Sequence, residues 1–333
     1  MISDKIVSIL VCCRNEENYI SQCLESLINQ KNIPGDFDIL VIDGESEDNT
    51  RKIIFELIKK NNRIVFFENK AKFKPRAINI GFEKSTGKYI AICDAHTVYA
   101  EDYISTLIEL INEHPEADGV GGPIISQGNN SFGKATAIAM SSKIGVGNPK
   151  HRFPDYEGYA EMACFPLFNR EVLTKVGLYD ERFIINHDDE YCFRIRKMGG
   201  KIYLSPRAKS FYYVRNKISK LFYQYYTYGF WQIAFLKKHK EPISLRQLVP
   251  ITFFSGVGIL AITGIMMHNF WVSIFLPGIY ILSLAIFAVP VIIKKGFIVG
   301  SLFPLSVFIL HLSYALGFLN GILYFNLIKR NYI

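Results

Sequence analysis

Three short polar runs hold residue types that act on phosphorylated substrates. The first, Asp43-Gly44-Glu45-Ser46-Glu47-Asp48-Asn49-Thr50, closes an apolar stretch. A carboxylate at that point can accept hydrogen bonds from a nucleobase or ribose, Gly44 lets the chain turn tightly and Asp48 can cap the next helix. An ordinary acidic turn would use the same residues. The second run, Asp94-Ala95-His96, follows Cys93. Residues two apart at a strand end can converge on one divalent cation, and carboxylate with imidazole suits Mn2+ somewhat better than Mg2+. A turn aspartate beside a surface histidine is the alternative. The third run, His187-Asp188-Asp189-Glu190, sets three adjacent acids after Phe183-Ile184-Ile185. Their mutual repulsion is explained if one serves as a general base toward a hydroxyl nucleophile. An exposed acidic helix start, favoured by the macrodipole and followed by Arg194 and Arg196, explains it too. Lys72, Lys74 and Arg76 could add positive charge, Arg76 being the best candidate of the three, or could line a solvated face.

These residues need a scaffold that brings them together. Ile6 to Cys13 has the pattern of a buried strand, and a helix capped by Asn15 is expected to run on towards Ile28. Phe37 to Asp43 is a second strand, Asp48 to Lys60 a helix, Arg63 to Phe67 a third strand, Arg76 to Lys84 a helix and Tyr89 to Asp94 a fourth strand. Alternation of this kind implies an α/β fold with a mainly parallel sheet, whose ligands bind at the carboxyl ends of its strands. Polar residues gather there: Arg14, Asn15 and Glu16 after the first strand, Asp43 to Asp48 after the second, Asp94 and His96 after the fourth. No Gly-x-Gly-x-x-Gly follows the first strand, which argues against a nicotinamide enzyme, and the Walker A and nucleophile-elbow patterns are also missing.

Composition shifts abruptly along the 333 residues. Charges are scattered up to about Glu241, whereas from Leu248 to Ile328 the only ones are Lys294 and Lys295. Leu248 to Met267 and Phe270 to Ile293 are uncharged, and a helix needs about 20 apolar residues to cross roughly 30 Å of hydrocarbon. Phe297 to Ile328 is also uncharged but longer, and with Pro304, His311 and Asn320-Gly321 it is expected to tilt, break or re-enter. No secretory signal is visible, so the N-terminal domain is expected in the cytosol. Lys237, Lys238, Lys240 and Arg246 before the first span, and Lys294-Lys295 after the second, agree; Lys329-Arg330 fits a full third crossing poorly. Phe211 to Trp231, dense in tyrosine and phenylalanine, reads as an interfacial helix or helix pair. The six cysteines lack paired spacing and are expected as buried free thiols. A net charge of +8 is modest for a nucleic-acid binder, and its basic residues from Lys209 to Arg246 suit anionic lipid headgroups or lipid phosphates better.

Five elements stand in a fixed order: Val7-Ser8-Ile9-Leu10-Val11 with Arg14-Asn15-Glu16-Glu17; the Asp-Gly-x-Ser-x-Asp-x-Thr run from Asp43 to Thr50; Arg76-Ala77-Ile78-Asn79-Ile80-Gly81; Asp94-Ala95-His96; and Asn186-His187-Asp188 through Cys192 to Arg194. In this order they resemble the family 2 inverting glycosyltransferases with the GT-A fold, and within them the membrane-attached enzymes of bacterial exopolysaccharide assembly similar to succinoglycan glycosyltransferases. The resemblance implies a Rossmann-like GT-A domain over residues 1–210, interfacial aromatic helices over 211–246 and a transmembrane region of about three helices over 247–333. It implies a hexosyltransferase-like enzyme of the inner (plasma) membrane, with its catalytic domain cytoplasmic. Arg14, Glu16, Asp43, Arg76 and Asp94 would bind the nucleotide sugar, with Asp43 on the nucleoside and Asp94 beside the diphosphate. Asp94 and His96 would hold a divalent cation, Mn2+ or Mg2+, and Asp188 would be the catalytic base. The acceptor would be a lipid-linked, polyprenyl-type saccharide, and no nucleic acid is involved. A non-catalytic membrane scaffold that keeps a nucleotide-sugar fold is the alternative; it would be expected to lack Asp94 or Asp188. The family's Asp-x-Asp is Asp94-Ala95-His96 here, and its Glu-Asp pair is His187-Asp188. The Gln-x-x-Arg-Trp motif of processive synthases is absent around Gln224, which favours one sugar per encounter.

Overall fold

The computed structural model describes residues 5–241 and 244–328, so Lys329-Arg330 lies outside the described residues. The chain forms two compact units, one of Met1–Ile125 with Pro149–Tyr212, the other of Ser126–Asn148 with Tyr213–Ile333. The segment Ser126–Asn148 therefore belongs with the C-terminal helices, although in sequence it lies inside the span expected to form one catalytic domain.

In the first unit β1 (Lys5–Cys13), α1 (Ile20–Ile28), β2 (Asp36–Asp43), α2 (Thr50–Ile58), β3 (Ile64–Glu68), α3 (Lys74–Lys84) and β4 (Tyr89–Asp94) alternate as the apolar runs require. Then follow β5 (Thr97–Tyr99), α4 (Tyr103–Glu113), β6 (Gly119–Gly121) and β7 (Ile124–Gln127). After the segment that leaves for the second unit, which carries α5 (Ser131–Met140) and α6 (Lys143–Val146), come β8 (Gly158–Tyr159), β9 (Leu167–Asn169), α7 (Glu171–Val176), α8 (His187–Lys197), β10 (Ile202–Leu204) and β11 (Ser210–Tyr213). The main sheet has the order β3-β2-β1-β4-β9-β6-β10-β8. Its first four strands are parallel, β9 runs antiparallel between β4 and β6, and the whole is a mixed α/β sheet with flanking helices. β1 is central and buried from Val7 onward, which is why its sequence is a continuous apolar run rather than an alternating one.

Several local expectations shift. α1 begins at Ile20, not near Asn15. Asn15 is left-handed (φ 55) and its Oδ1 accepts the Glu47 amide, while the Glu16 and Glu17 amides donate to Thr50 Oγ1 and Asp48 Oδ2. These residues are laced to the loop after β2, so Ile20, Cys23, Leu24 and Leu27, a buried i, i+3, i+4, i+7 face, start the helix instead. The left-handed residue of that loop is Glu45 (φ 54) rather than Gly44, whose amide extends the sheet by donating to Cys13 O. Asp48 accepts the Thr50 amide at 3.0 Å just ahead of α2, whose N-cap is Asn49. Ser210–Tyr213, at the start of the expected aromatic helix, is a strand: burial alternates along it and it pairs antiparallel with β5.

The second unit holds α9 (Ile218–His239), α10 (Leu245–Met266), α11 (Phe270–Lys295) and α12 (Phe297–Leu323). Three segments, Leu245–Met266, Phe270–Lys295 and Phe297–Ile328, are long and apolar enough to cross a membrane. The third does not break at Pro304 or His311; it stays helical through Leu323 and ends in a π turn, Tyr324–Ile328. Half of its apolar window is buried within the protein, against 11% and 17% for the others, so much of its apolarity serves packing rather than lipid contact. Glycines on both helices permit its close approach to α9: a Cβ at Gly317 would collide with Tyr226 O, and one at Gly229 of α9 with Tyr314 O. His311 Nδ1 is hydrogen-bonded to Tyr280 Oη at 2.8 Å, and Thr136 Oγ1 of α5 meets Ser306 Oγ of α12 at 3.3 Å.

One buried side chain ties α3 to the segment leading into α8. Asn79 donates from Nδ2 to Tyr179 O at 3.0 Å and accepts the Tyr179 amide on Oδ1 at 2.9 Å. Asn79→Ala strands both backbone groups in the interior and is expected to cost about 2–3 kcal/mol. A fall in the thermal midpoint of the purified protein measures this; an unchanged midpoint would show that the pairing contributes nothing.

Candidate active site

The parallel register assembles the site at the carboxyl edge of the sheet. Cys13 of β1 lies opposite Asp43 of β2, and Cys12 lies opposite Asp94 of β4. Asp43 and Asp94 thus end strands on either side of β1, on the order of 10 Å apart for two inter-strand spacings.

Asp94 is the centre of a short charged chain. Its Oδ1 accepts from Lys74 Nζ at 3.2 Å, its Oδ2 lies 3.3 Å from His96 Nε2, and His96 Nδ1 is 3.1 Å from Glu16 Oε1. Tyr19 and Tyr212 pack against the imidazole. Burial alone would pull the His96 pKa down, but the Asp94 charge and the Glu16 hydrogen bond outweigh it and lift the group to about 9. Burial likewise opposes the Lys74 charge, yet Asp94 and Asp188 together raise its pKa. Burial pushes the Cys12 thiol beneath them up to about 12, with the charges of Lys74, Asp94 and Asp188 all felt there. Asp188 therefore shares one neighbourhood with Lys74 and Asp94, although it lies far along the chain.

α8 brings Asp188 to this point. Asn186 adopts the left-handed conformation (φ 60) immediately before the helix, whose first turn is acidic and last turn basic, as the macrodipole favours. The three adjacent acids diverge because successive helical residues project about 100° apart. Glu190 turns into the protein, where Arg194 Nε binds both its oxygens at 3.0 Å and the guanidinium also caps Val176 O and Leu178 O. Asp188 faces Lys74. The structural explanation of this acidic run is realised by Glu190, while Asp188 is the acid whose charge acts on Lys74.

The remaining candidates are dispersed around this centre. Asp43 is fully buried, and its carboxylate is saturated from inside the protein by the Ser46 amide, the Ser46 hydroxyl, the Cys13 thiol and Arg51 Nε at 2.6 Å. Arg14 is exposed, 3.9 Å from Glu47. Arg76 pairs with Glu181 at 3.2 Å and Glu83 at 3.5 Å, so it braces the segment ahead of α8, while Lys74 is the cation that reaches Asp94. The two are the first and third residues of α3, about 200° apart around its axis, so only one can face the sheet edge. Arg51 is a site-building residue that motif spacing did not single out; Lys74 is one of three candidate cations, and the phase of α3 is the signal that separates it from Arg76. Among the described residues no group of three or more His, Cys, Asp or Glu side chains is arranged to hold a metal ion. The six cysteines are free, and all but the half-buried Cys164 are buried.

Residues 8–177 match the model of the glycosyl transferase family 2 domain. Over 98% of both chains, the sequence is 30% identical to the succinoglycan biosynthesis protein ExoA of Rhizobium meliloti. It is 26% identical, over 95% of this chain and 97% of the relative, to a dolichyl N-acetyl-alpha-D-glucosaminyl phosphate 3-beta-D-2,3-diacetamido-2,3-dideoxy-beta-D-glucuronosyltransferase of Methanococcus voltae. Among solved structures, the mannosyltransferase PcManGT of Pyrobaculum calidifontis, determined with GDP-Man and Mn2+, superposes with a TM-score of 0.59 over 95% of this chain and 87% of that one at 14% identity, a likeness of fold.

His96 gives this electrostatic arrangement a direct readout. Its folded pKa, about 9, lies above the ordinary 6.5, so its contribution to stability is fully present below about 6.5 and is lost as the pH rises through about 9. In the metal-free protein the imidazole resonances are expected to titrate near 9, and Asp94→Asn should bring that midpoint down. A midpoint that stays in place in Asp94→Asn would separate His96 from Asp94.

Proposed function

The chain belongs to glycosyl transferase family 2, and we propose that it moves one sugar from a nucleotide-sugar donor to a lipid-carried acceptor, with inversion at the anomeric carbon. It is a glycosyltransferase related to exopolysaccharide-biosynthesis enzymes. The observation that carries the finer reading is Lys74, held at the carboxyl edge of the sheet where both Asp94 and Asp188 act on its charge.

In this reading Asp188 takes the proton from an acceptor hydroxyl as that oxygen attacks the anomeric carbon. The bond from that carbon to the nucleotide diphosphate breaks on the opposite face, and its electrons leave on the phosphate. Lys74, with Asp94 beside it, offsets the negative charge that grows there. The nucleoside end is assigned to Asp43 and the neighbouring Arg14 and Glu16; Asp43 can receive it by releasing the Ser46 hydroxyl. Arg76 is assigned a bracing role, since both its acidic partners are its own protein's.

A divalent cation fits the same edge. Asp94 Oδ2 and His96 Nε2 are 3.3 Å apart, close to the roughly 3 Å between adjacent donors of an octahedral Mg2+-sized ion. His96 must first lose the proton that Asp94 and Glu16 stabilise, so two protein ligands bind weakly alone and donor phosphates would complete the set. Bound there, Mn2+ or Mg2+ supplies charge stabilisation to the departing diphosphate. The GDP-Man and Mn2+ of the PcManGT complex support a nucleotide-sugar donor and a divalent cation. For the acceptor, support comes from the Methanococcus voltae relative, named for transfer to a dolichyl-linked sugar phosphate, and from the three candidate membrane spans. Lys237, Lys238, Lys240 and Arg246 ahead of α10, with Lys294-Lys295 ending α11, support a catalytic unit on the cytoplasmic side of the inner membrane.

Membranes carrying the protein, incubated with labelled nucleotide sugars and a polyprenyl-linked acceptor, are expected to label the lipid fraction; label confined to soluble sugar refutes the acceptor class. Asp188→Asn should lower turnover by about 10²–10⁴-fold while donor binding, followed by thermal shift, is nearly unchanged. Full turnover in that variant removes Asp188 from the role of base.

A further inference from the structure

His187 stands where the family pattern has a glutamate, and its surroundings are unusual for a histidine. It is only 9% exposed, and among the described residues neither ring nitrogen completes a hydrogen bond of normal geometry. Buried polar atoms are nearly always used, by protein or by a bound molecule. The ring lies beside Tyr179, 6.1 Å away between centroids, which itself stacks on Tyr191 at 4.1 Å and 7° and is pinned by Asn79. Nε2 points to the neighbouring carboxylate, 3.4 Å from Asp188 Oδ2. Burial lowers the pKa of the ring, outweighing the opposite pull of Asp188 and of the Ile184 backbone. The imidazole is therefore neutral near pH 7, with one proton for two flanking acceptors.

We propose that His187 is the positioning residue of the base: its Nε2–H, 3.4 Å from Asp188 Oδ2, closes onto that oxygen and turns the other carboxylate oxygen to the acceptor hydroxyl. This rests on Asp188 being the base. A glutamate at this position would set a second negative charge against Asp188, whereas a neutral imidazole supplies a donor and no charge. The other groups that face the pair are Lys74 from α3, Asp94 at the end of β4, Cys12 at the end of β1, Cys164 ahead of β9, Tyr179 ahead of α8, and Cys192 on α8 itself. Lys74 holds its proton, and burial keeps the three thiols and the phenol protonated, through the neutral range.

The test compares full-length His187→Leu, His187→Gln and His187→Glu with Asp188→Asn, using kcat, donor KM and the pH profile of kcat, with thermal midpoints as a check on folding. His187→Leu is expected to lower kcat roughly 10- to 100-fold, the loss of one hydrogen bond to a charged group, with donor KM unchanged. His187→Gln, whose amide can donate, should restore most of it. His187→Glu should move the acid limb of the profile upward by about one pH unit. If His187→Leu does not fold, the profile of His187→Glu decides by itself. An unshifted profile in His187→Glu, or wild-type kcat in His187→Leu, with Asp188→Asn inactive, overturns the role of His187 and leaves the base intact. Turnover in Asp188→Asn overturns the base and this inference with it.

Discussion

A partly buried ammonium group is best tolerated where counter-charges surround it, and that requirement organises the catalytic unit. Lys74 enters the sheet edge from the first turn of α3, against the cost of desolvation, because Asp94 and Asp188 both lie within reach of its charge. Neither carboxylate is close to it in sequence. The cation thus couples the end of a parallel strand to the start of a helix almost a hundred residues further on.

α3 is the common support of both sides of this charged edge. Its first residue reaches Asp94, its third braces Glu181, and Asn79 satisfies the backbone of Tyr179. The segment ahead of α8 therefore moves with α3, and the Glu190–Arg194 pair fastens α8 to the end of α7. On the opposite side, the Asn15–Glu17 backbone is sewn to the Asp43–Thr50 loop, which pre-forms the edge assigned to the nucleoside. Rigid supports of this kind let a few polar side chains keep their geometry without neighbours of their own in sequence.

The second unit follows a different physical rule. Candidate membrane helices would find no hydrophobic reason to associate in lipid, and here small residues and buried polar pairs mark the faces that meet. Gly317 and Gly321 of α12 admit the backbone of α9, and Thr136 meets Ser306. α12 thereby becomes a packed helix on one side and an apolar surface on the other, while α10 and α11 stay largely exposed.

Much of this was legible in the residues themselves, because the signals are local. Strand and helix alternation up to Asp94, the polar residues at strand ends, the free buried cysteines and the three long apolar segments all follow from periodicity and composition within a short window. The family motifs add order to the same residues. What the sequence could not decide depends on partners far along the chain. Asn15 could have capped α1, but the loop after β2 claims its side chain. Arg76 was the better phosphate ligand by type, but the phase of α3 turned Lys74 inward. Three acids in a row gave no hint of which would be buried with Arg194 and which would face Lys74. The segment Ser126–Asn148 has nothing in its composition that sends it to α12. In each case the local propensities were nearly equal, and the choice fell to long-range contacts whose energy exists only once the tertiary structure has formed.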